Sequence, residues 1–175
     1  FYAGDSAADL DTPPTAACDA LPSSLPGNYP IVLSGGNDSN YAITRVNGTL
    51  AVTRAAQAIT FAPLPAKTYG DGSFFLGATA SSGLAVTYES LHPAVATVSG
   101  NQVTIVAAGS ATLRASQAGD SRYEPAPPAN QTLTVNKRTL TVRAENKTRL
   151  YGVANPPLTQ VITGYVTGDG LADLD

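Results

Sequence analysis

The sequence predicts an all-β chain, a Greek-key β-sandwich flanked on each side by a partial β-rich segment. Three observations carry this. Thr, Val and Ala dominate the interior of the chain, and Thr and Val favour strands over helices. Short runs alternate apolar and polar residues with period two, whereas residues 17–25 lack helical periodicity and Pro22 would interrupt any helix there. Gly and Pro clusters separate the runs at intervals of about ten residues, the spacing of a sandwich.

The elements follow in order. Tyr41-Ala-Ile-Thr-Arg-Val46, Asn47-Gly48 and Thr49-Leu-Ala-Val-Thr-Arg54 fit a hairpin with a two-residue type I′ turn, which needs φ > 0 at both turn positions. That register sets Ile43 opposite Val52 and Arg45 opposite Leu50, so Tyr41, Ile43, Leu50 and Val52 share one face. A second hairpin joins Val95–Ser99 to Gln102–Val106 through Gly100-Asn101, with Val98 opposite Val103 and Ala96 opposite Ile105. Further strands are expected at Ala58–Phe61, Phe74–Thr79, Val86–Glu89, Ser110–Ala115, Gln131–Val135 and Arg138–Arg143. Three segments result: residues 1–54, a sandwich over 55–137, and residues 138–175. The joins Arg54-Ala-Ala-Gln57 and Asn136-Lys-Arg138 are short, which favours stiff stacking over a floppy linker.

Composition narrows the function. The 175 residues carry 13% charged and 7% aromatic side chains, with one Cys, one His, no Met and no Trp. A single His and a single Cys leave little for a nucleophile–His–acid triad, a zinc site or a disulfide within the chain. Net charge is −3 and the isoelectric point about 5.0, which argues against an electrostatic grip on nucleic acid or anionic lipid. No apolar run approaches the roughly 20 residues of a membrane span. The chain is therefore expected to be no enzyme and to need no cofactor.

The two ends repeat each other. Phe1–Asp11 aligns without gaps on Tyr165–Asp175 at a constant offset of 164, and Gly4, Asp5, Ala8, Asp9, Leu10 and Asp11 match Gly168, Asp169, Ala172, Asp173, Leu174 and Asp175. This is the signature of a tandem array, and with Phe1 first and no signal pattern the chain reads as a piece of something longer.

Gln57-Ala-Ile-Thr-Phe61, Leu64-Pro-Ala-Lys-Thr-Tyr-Gly-Asp71, Ala78-Thr-Ala-Ser-Ser-Gly-Leu84, Pro93-Ala-Val-Ala-Thr-Val-Ser-Gly100 and Ala115-Ser-Gln-Ala-Gly119 resemble the Ig-like repeats of large bacterial surface and adhesin proteins. Gly27-Asn-Tyr-Pro-Ile31, Asn40-Tyr-Ala-Ile43 and Val46-Asn-Gly-Thr-Leu50 resemble the C-terminal part of the MBG-type module that alternates with such repeats. Lys147-Thr-Arg-Leu-Tyr-Gly152, Asn155-Pro156 and Gly164-Tyr-Val-Thr-Gly-Asp169 resemble its N-terminal part. The resemblance implies an extracellular repeat module at the cell surface, Ig-like over 55–137 and β-grasp-like in the flanking module. It further implies a structural role in a filament or adhesin stalk, the C-terminal segment of one unit completed by the N-terminal segment of the next. The residues expected at that interface are Tyr29, Tyr41, Ile43, Leu50, Val52, Leu140, Val142, Tyr151 and Tyr165. Partners are then further copies or adjacent repeats.

The alternative is an adhesin module that binds glycan or protein, stacking host or matrix sugars on Tyr2, Tyr29, Tyr88, Tyr123 or Tyr165. In some members of the module a Cys near position 18 has a partner in the strand after Tyr-Pro-Ile. Here that strand reads Ile31-Val-Leu-Ser34, so Cys18 is either a buried small hydrophobe or a thiol open to intermolecular pairing. Related Ig-like modules also cross-link a Lys to an Asn beside a buried acid, for which Lys67, Asn130 and Glu89 are the candidate trio. Asp5, Asp9, Asp11, Asp169, Asp173 and Asp175 offer oxygen ligands for Ca²⁺, though without EF-hand spacing, and a polar turn explains them as well. Gly70-Asp71-Gly72 reads as a turn, and His92 as a solvated turn residue with no nucleophile beside it.

Overall fold

In the computed structural model, which describes Gly4 and residues 6–170, the chain divides into two compact units. One comprises Phe1–Gln57 with Ala118–Pro125, the other Ala58–Gln117 with Ala126–Asp175.

The first unit opens on a 3-10 turn, Ala7–Asp9, held by a capping box between Ser6 and Asp9. Strands β1 (Thr12–Ala17), β2 (Gly27–Asn37) and β3 (Gly48–Val52) then form an antiparallel sheet with β2 in the middle. The pairing is staggered. Strand β3 pairs with the first half of β2, Tyr29 opposite Leu50 and Ile31 opposite Gly48. Strand β1 pairs with the second half, from Ala17 opposite Val32 to Thr12 opposite Asn37. Pro30 therefore sits where only β3 is a neighbour, and its missing N–H breaks no second ladder.

This corrects the hairpin expected over Tyr41–Arg54. No non-Gly described residue has positive φ and Gly48 has none either, so Asn47-Gly48 is not a type I′ turn. The Asn47 side chain instead accepts a hydrogen bond from the Leu33 amide at 3.1 Å, and Leu50 faces Tyr29 rather than Arg45. Residues 41–47 run outside any ladder. They are held by Asp38, whose carboxylate accepts from the Asn40 and Tyr41 amides, and by Arg45, which donates to the carbonyls of Gly35 and Gly36. Residues 118–125 belong to this unit and clamp its end. Ala55 donates to Arg122 O at 2.8 Å and accepts from the Glu124 amide at 2.9 Å, while the buried Gln57 amide donates to Glu124 O at 2.7 Å.

The second unit contains the sandwich. Its strands are β4 (Ile59–Phe61), β5 (Lys67–Thr68), β6 (Phe74–Phe75), β7 (Ala78–Ala80), β8 (Thr87–Ser90), β9 (Ala96–Ser99), β10 (Gln102–Ile105), β11 (Gly109–Gln117) and β12 (Ala126–Asn136). They pair as β5-β12-β11-β8, β6-β10-β9 and β4-β7. The β9–β10 hairpin has the expected register, Val98 opposite Val103 and Ala96 opposite Ile105. Gly100 takes φ +60° and Asn101 stays negative, so its turn follows the II′ pattern, with positive φ at the first central position alone. Phe74–Thr79, expected as one strand, splits at Leu76-Gly77 so that β6 joins β10 and β7 joins β4. Such a switch between sheets is how a sandwich turns its corners.

Period-two alternation sends Ala111, Leu113 and Ala115 of β11 and Leu133 and Val135 of β12 inward. With Phe61, Leu76, Ala96 and Val103 they form one core, and Leu113, Leu133 and Val103 are its largest fully enclosed side chains. Tyr88 packs edge-on against Phe61 with ring centroids 6.0 Å apart. Its hydroxyl accepts from the Ala78 amide at 2.7 Å and reaches the Ala78 carbonyl at 3.3 Å. After β12 the chain continues into a two-stranded antiparallel ribbon, β13 (Thr141–Ala144) and β14 (Gln160–Thr163), with Val142 opposite Ile162.

Candidate assembly interface

Each flank presents one apolar sheet face. On the three-stranded sheet, Tyr29, Ile31 and Leu33 of β2 share a face with Leu50 and Val52 of β3, because directly paired residues and their i±2 neighbours point the same way. Tyr29, Ile31, Leu33 and Val52 are half-buried and Leu50 is exposed. The Tyr29 hydroxyl donates to Leu25 O at 2.7 Å. Tyr41 and Ile43 are half-buried in the segment beside that sheet, and the Ile43 Cδ1 methyl approaches Gly36. On the ribbon, Val142, Ile162 and Ala144 share a face, and Val142 is 58% exposed. Leu158 is 77% exposed, and Tyr151 has the exposure of a free side chain. Among the described residues, the first unit fully buries only Gln57, and residues 138–170 bury none.

Both of these flanks match one family model, described as MBG domain (YGX type), over residues 1–51 and 140–175. Residues 1–51 and 140–175 belong to the MBG domain family. MBG domains occur in surface proteins. No curated protein matches the chain. In the second MBG segment Tyr151-Gly152 stands in a turn and fits the YGX description. No described helix is long and apolar enough to cross a membrane, which says nothing of β-barrels.

The candidate residues outside these faces have other partners. In the first MBG segment Asp9 accepts from the Ser6 hydroxyl and amide, which hold its carboxyl below the usual range. Asp11 accepts from the Ser39 amide at 2.8 Å. Asp169, in the second segment, accepts from the Tyr69 hydroxyl at 3.4 Å. Asp5, Asp173 and Asp175 lie outside the described residues, as does Tyr2, and among the described residues no three His, Cys, Asp or Glu side chains converge on a metal position. Cys18 is half-buried and unpaired.

The structure does not assemble the Lys67–Asn130–Glu89 trio. Lys67 lies opposite Val135, five residues along β12 from Asn130, and its ammonium sits 5.0 Å from the Phe74 ring centroid. Arg114 takes the other two instead, at 3.2 Å from Glu89 Oε1 and 3.4 Å from Asn130 Oδ1. His92 is bound rather than merely solvated. Its Nδ1 accepts from the Thr112 amide at 3.1 Å, which ties the loop before β9 to β11.

Where the second MBG segment meets the sandwich there is a half-open pocket of about 480 Å³ lined by Tyr69, Lys137, Arg138, Leu140, Tyr165 and Asp169, among others. The Tyr165 hydroxyl is buried without a hydrogen-bond partner. Leu140 and Tyr165, expected at an interface between copies, line this pocket inside the second unit. Arg138 donates through Nε to Gly164 O at 2.9 Å. Sequence reasoning missed Tyr69, Gly70 and Val166 as residues of this joint. The cue available was the Tyr-Gly-Asp turn itself.

Proposed function

We propose that the chain is a non-enzymatic structural repeat unit of a bacterial extracellular filament or adhesin stalk. In this reading residues 138–175 form the front and residues 1–54 the back of an MBG module, and head-to-tail stacking joins the front of one unit to the back of the next. The observation that carries the reading is the match of one family at both ends of a sandwich that closes its own core, while neither end, among its described residues, buries an apolar side chain completely. The faces of Tyr29, Ile31, Leu33, Leu50 and Val52 on one side and Val142 and Ile162 on the other are then the two halves of one core. A contact between unlike faces does not close on itself, so it grows a linear array. Ladder hydrogen bonds and short joins give that array its stiffness, and repeats that bury surface against their neighbours need no active site.

A tandem chain of residues 1–175 followed directly by residues 12–175 tests this, because the shared eleven residues let one period run into the next. Its middle section is expected to gain slow-exchanging amides in β13, β14, β2 and β3 that the single chain lacks. Exchange in the tandem equal to that of two single chains overturns the proposal. The adhesin alternative rests on the fully exposed Tyr151 as a stacking surface, and loss of glycan-array binding in Tyr151→Ala would support it instead.

A further inference from the structure

We infer that Tyr69-Gly70-Asp71 is a socket that fixes the following MBG segment on the sandwich at a single orientation, so that residues 58–117 and 126–170 turn as one body. This goes beyond the stacking of copies, since every contact lies within one chain. The socket is anchored first. Strand β5 adds in parallel to the last residues of β12, Lys67 opposite Val135 and Thr68 opposite Asn136, so the loop after β5 is tied to the strand from which the chain leaves the sandwich. The loop closes on itself, with the Asp71 amide donating to Thr68 O at 2.9 Å and the Asp71 carboxylate accepting from the Thr68 amide at 2.8 Å. The Tyr69 amide donates to Asn136 O at 2.9 Å.

Two separate contacts then join the sandwich to the MBG segment, and a third, within the segment, braces its entry. Gly70 has φ +89°, and a Cβ there would lie 2.5 Å from Val166 Cγ2 and 3.2 Å from Arg138 Nη1, so only a hydrogen fits between the socket and the loop it receives. The Tyr69 hydroxyl donates to Asp169. On the other side of the link, Arg138 donates to Gly164 O, where a Cβ would lie 2.7 Å from Thr139 O. One contact leaves a joint free to rotate and two leave a hinge. Here the two contacts act together with the covalent link, which the hydrogen bond from Arg138 to Gly164 stiffens, so the hinge is restrained as well. Close packing of this kind is bistable rather than continuously deformable, so the joint is either seated or open.

Amide ¹⁵N relaxation on the full chain tests this. In the native chain, amides of β11 and β12 and those of β13 and β14 are expected to report one shared rotational correlation time. Gly70→Val is expected to abolish the sharing, with β13 and β14 tumbling faster while the sandwich resonances stay in place. Val166→Ala removes the packing from the opposite side without touching a sandwich residue, and is expected to loosen the joint in the same direction even if Gly70→Val disturbs the sandwich. Gly72→Ala is the control, because no atom lies within 4 Å of its Cβ position, and it is expected to change nothing. Two correlation times in the native chain, or one retained in both Gly70→Val and Val166→Ala, overturns the inference.

Discussion

The sandwich and the segments around it are made of the same Thr, Val and Ala, yet they solve burial differently. Between Phe61 and Val135, nine side chains form a closed cluster, and Leu113, Leu133 and Val103 lose all contact with water. In residues 138–170, Val142, Leu150, Tyr151, Val153, Leu158 and Val161 remain exposed. Full burial of a Leu or Val is worth roughly 1.5–3 kcal/mol, so the sandwich carries its own stability. The flanks leave such surface in water. Composition alone does not separate the two regions; the number of strands brought against each face does.

The sharpest way to break this contrast is to cut into both regions alike. Leu113→Ala is expected to destabilise the sandwich by about 2–5 kcal/mol, because it leaves a cavity in a rigid core. Val142→Ala in the same single chain is expected to stay within about 0.5 kcal/mol, as exposed substitutions do. Urea denaturation with an unchanged slope reads both, and equal costs would erase the distinction. A smaller effect compares two tyrosines. Tyr88→Phe removes a hydroxyl bonded to both backbone groups of Ala78 inside the sandwich and is expected to cost about 1 kcal/mol. Tyr29→Phe frees a Leu25 carbonyl that water can reach, so its cost in the same assay is expected to be the lesser of the two.

The gentlest perturbation is acid. Asp9, Asp120 and Glu145 are held below the usual carboxylate range, and all three lie outside the sandwich strands. The first cause is the Ser6 hydroxyl for Asp9, the Arg122 amide for Asp120 and the Thr159 hydroxyl for Glu145, which also accepts from Lys147. A lowered folded pKa stabilises above the unfolded value, and that contribution fades as pH falls through the folded one. As pH falls through and below the usual carboxylate range, amide protection, taken relative to the intrinsic exchange rate at each pH, is therefore expected to fall in the 118–125 loop and the β13–β14 ribbon before it does in β11. Glu145→Gln is expected to flatten the ribbon's response. Simultaneous loosening of β11 would mean that the regions are coupled more tightly than their burial suggests.

What could be read from residues follows the same division. The β9–β10 hairpin was legible because its turn glycine and its apolar face agree locally, and β11 and β12 because alternation over many residues leaves one register. Asn47-Gly48 misled because a strong turn signal competes with a partner elsewhere: β2, ten or more residues upstream, offers Leu50 the Tyr29 ring. Strand β5 has two residues, too few to show any period, and exists only because the end of β12 accepts a parallel neighbour. Gly70 was legible as a turn residue, and Asp71 closes that turn as expected. Its second role, making room for Val166, depends on a contact nearly a hundred residues away that no local pattern encodes. Tyr41, Ile43, Leu50 and Val52 were assigned to a shared apolar face from period-two spacing; Leu50 and Val52 do share one, but with Tyr29 and Ile31 of β2, while Tyr41 and Ile43 run outside the ladder.

The clamp on Ala55 and Gln57 has a consequence for the order in which the molecule is made. Its other half, Arg122 to Glu124, lies between β11 and β12, and the hydrogen bond from Gln57 to Glu124 spans 67 positions. Synthesis delivers the first sheet early, but the end of its unit cannot be tied down until the longest ladder of the chain has paired and presented the intervening loop. Closing so long a loop is slow and must wait for the non-local strands. The first segment therefore spends its early life with a loose end, and the seam that finishes it waits for a loop that had not yet been translated when it began.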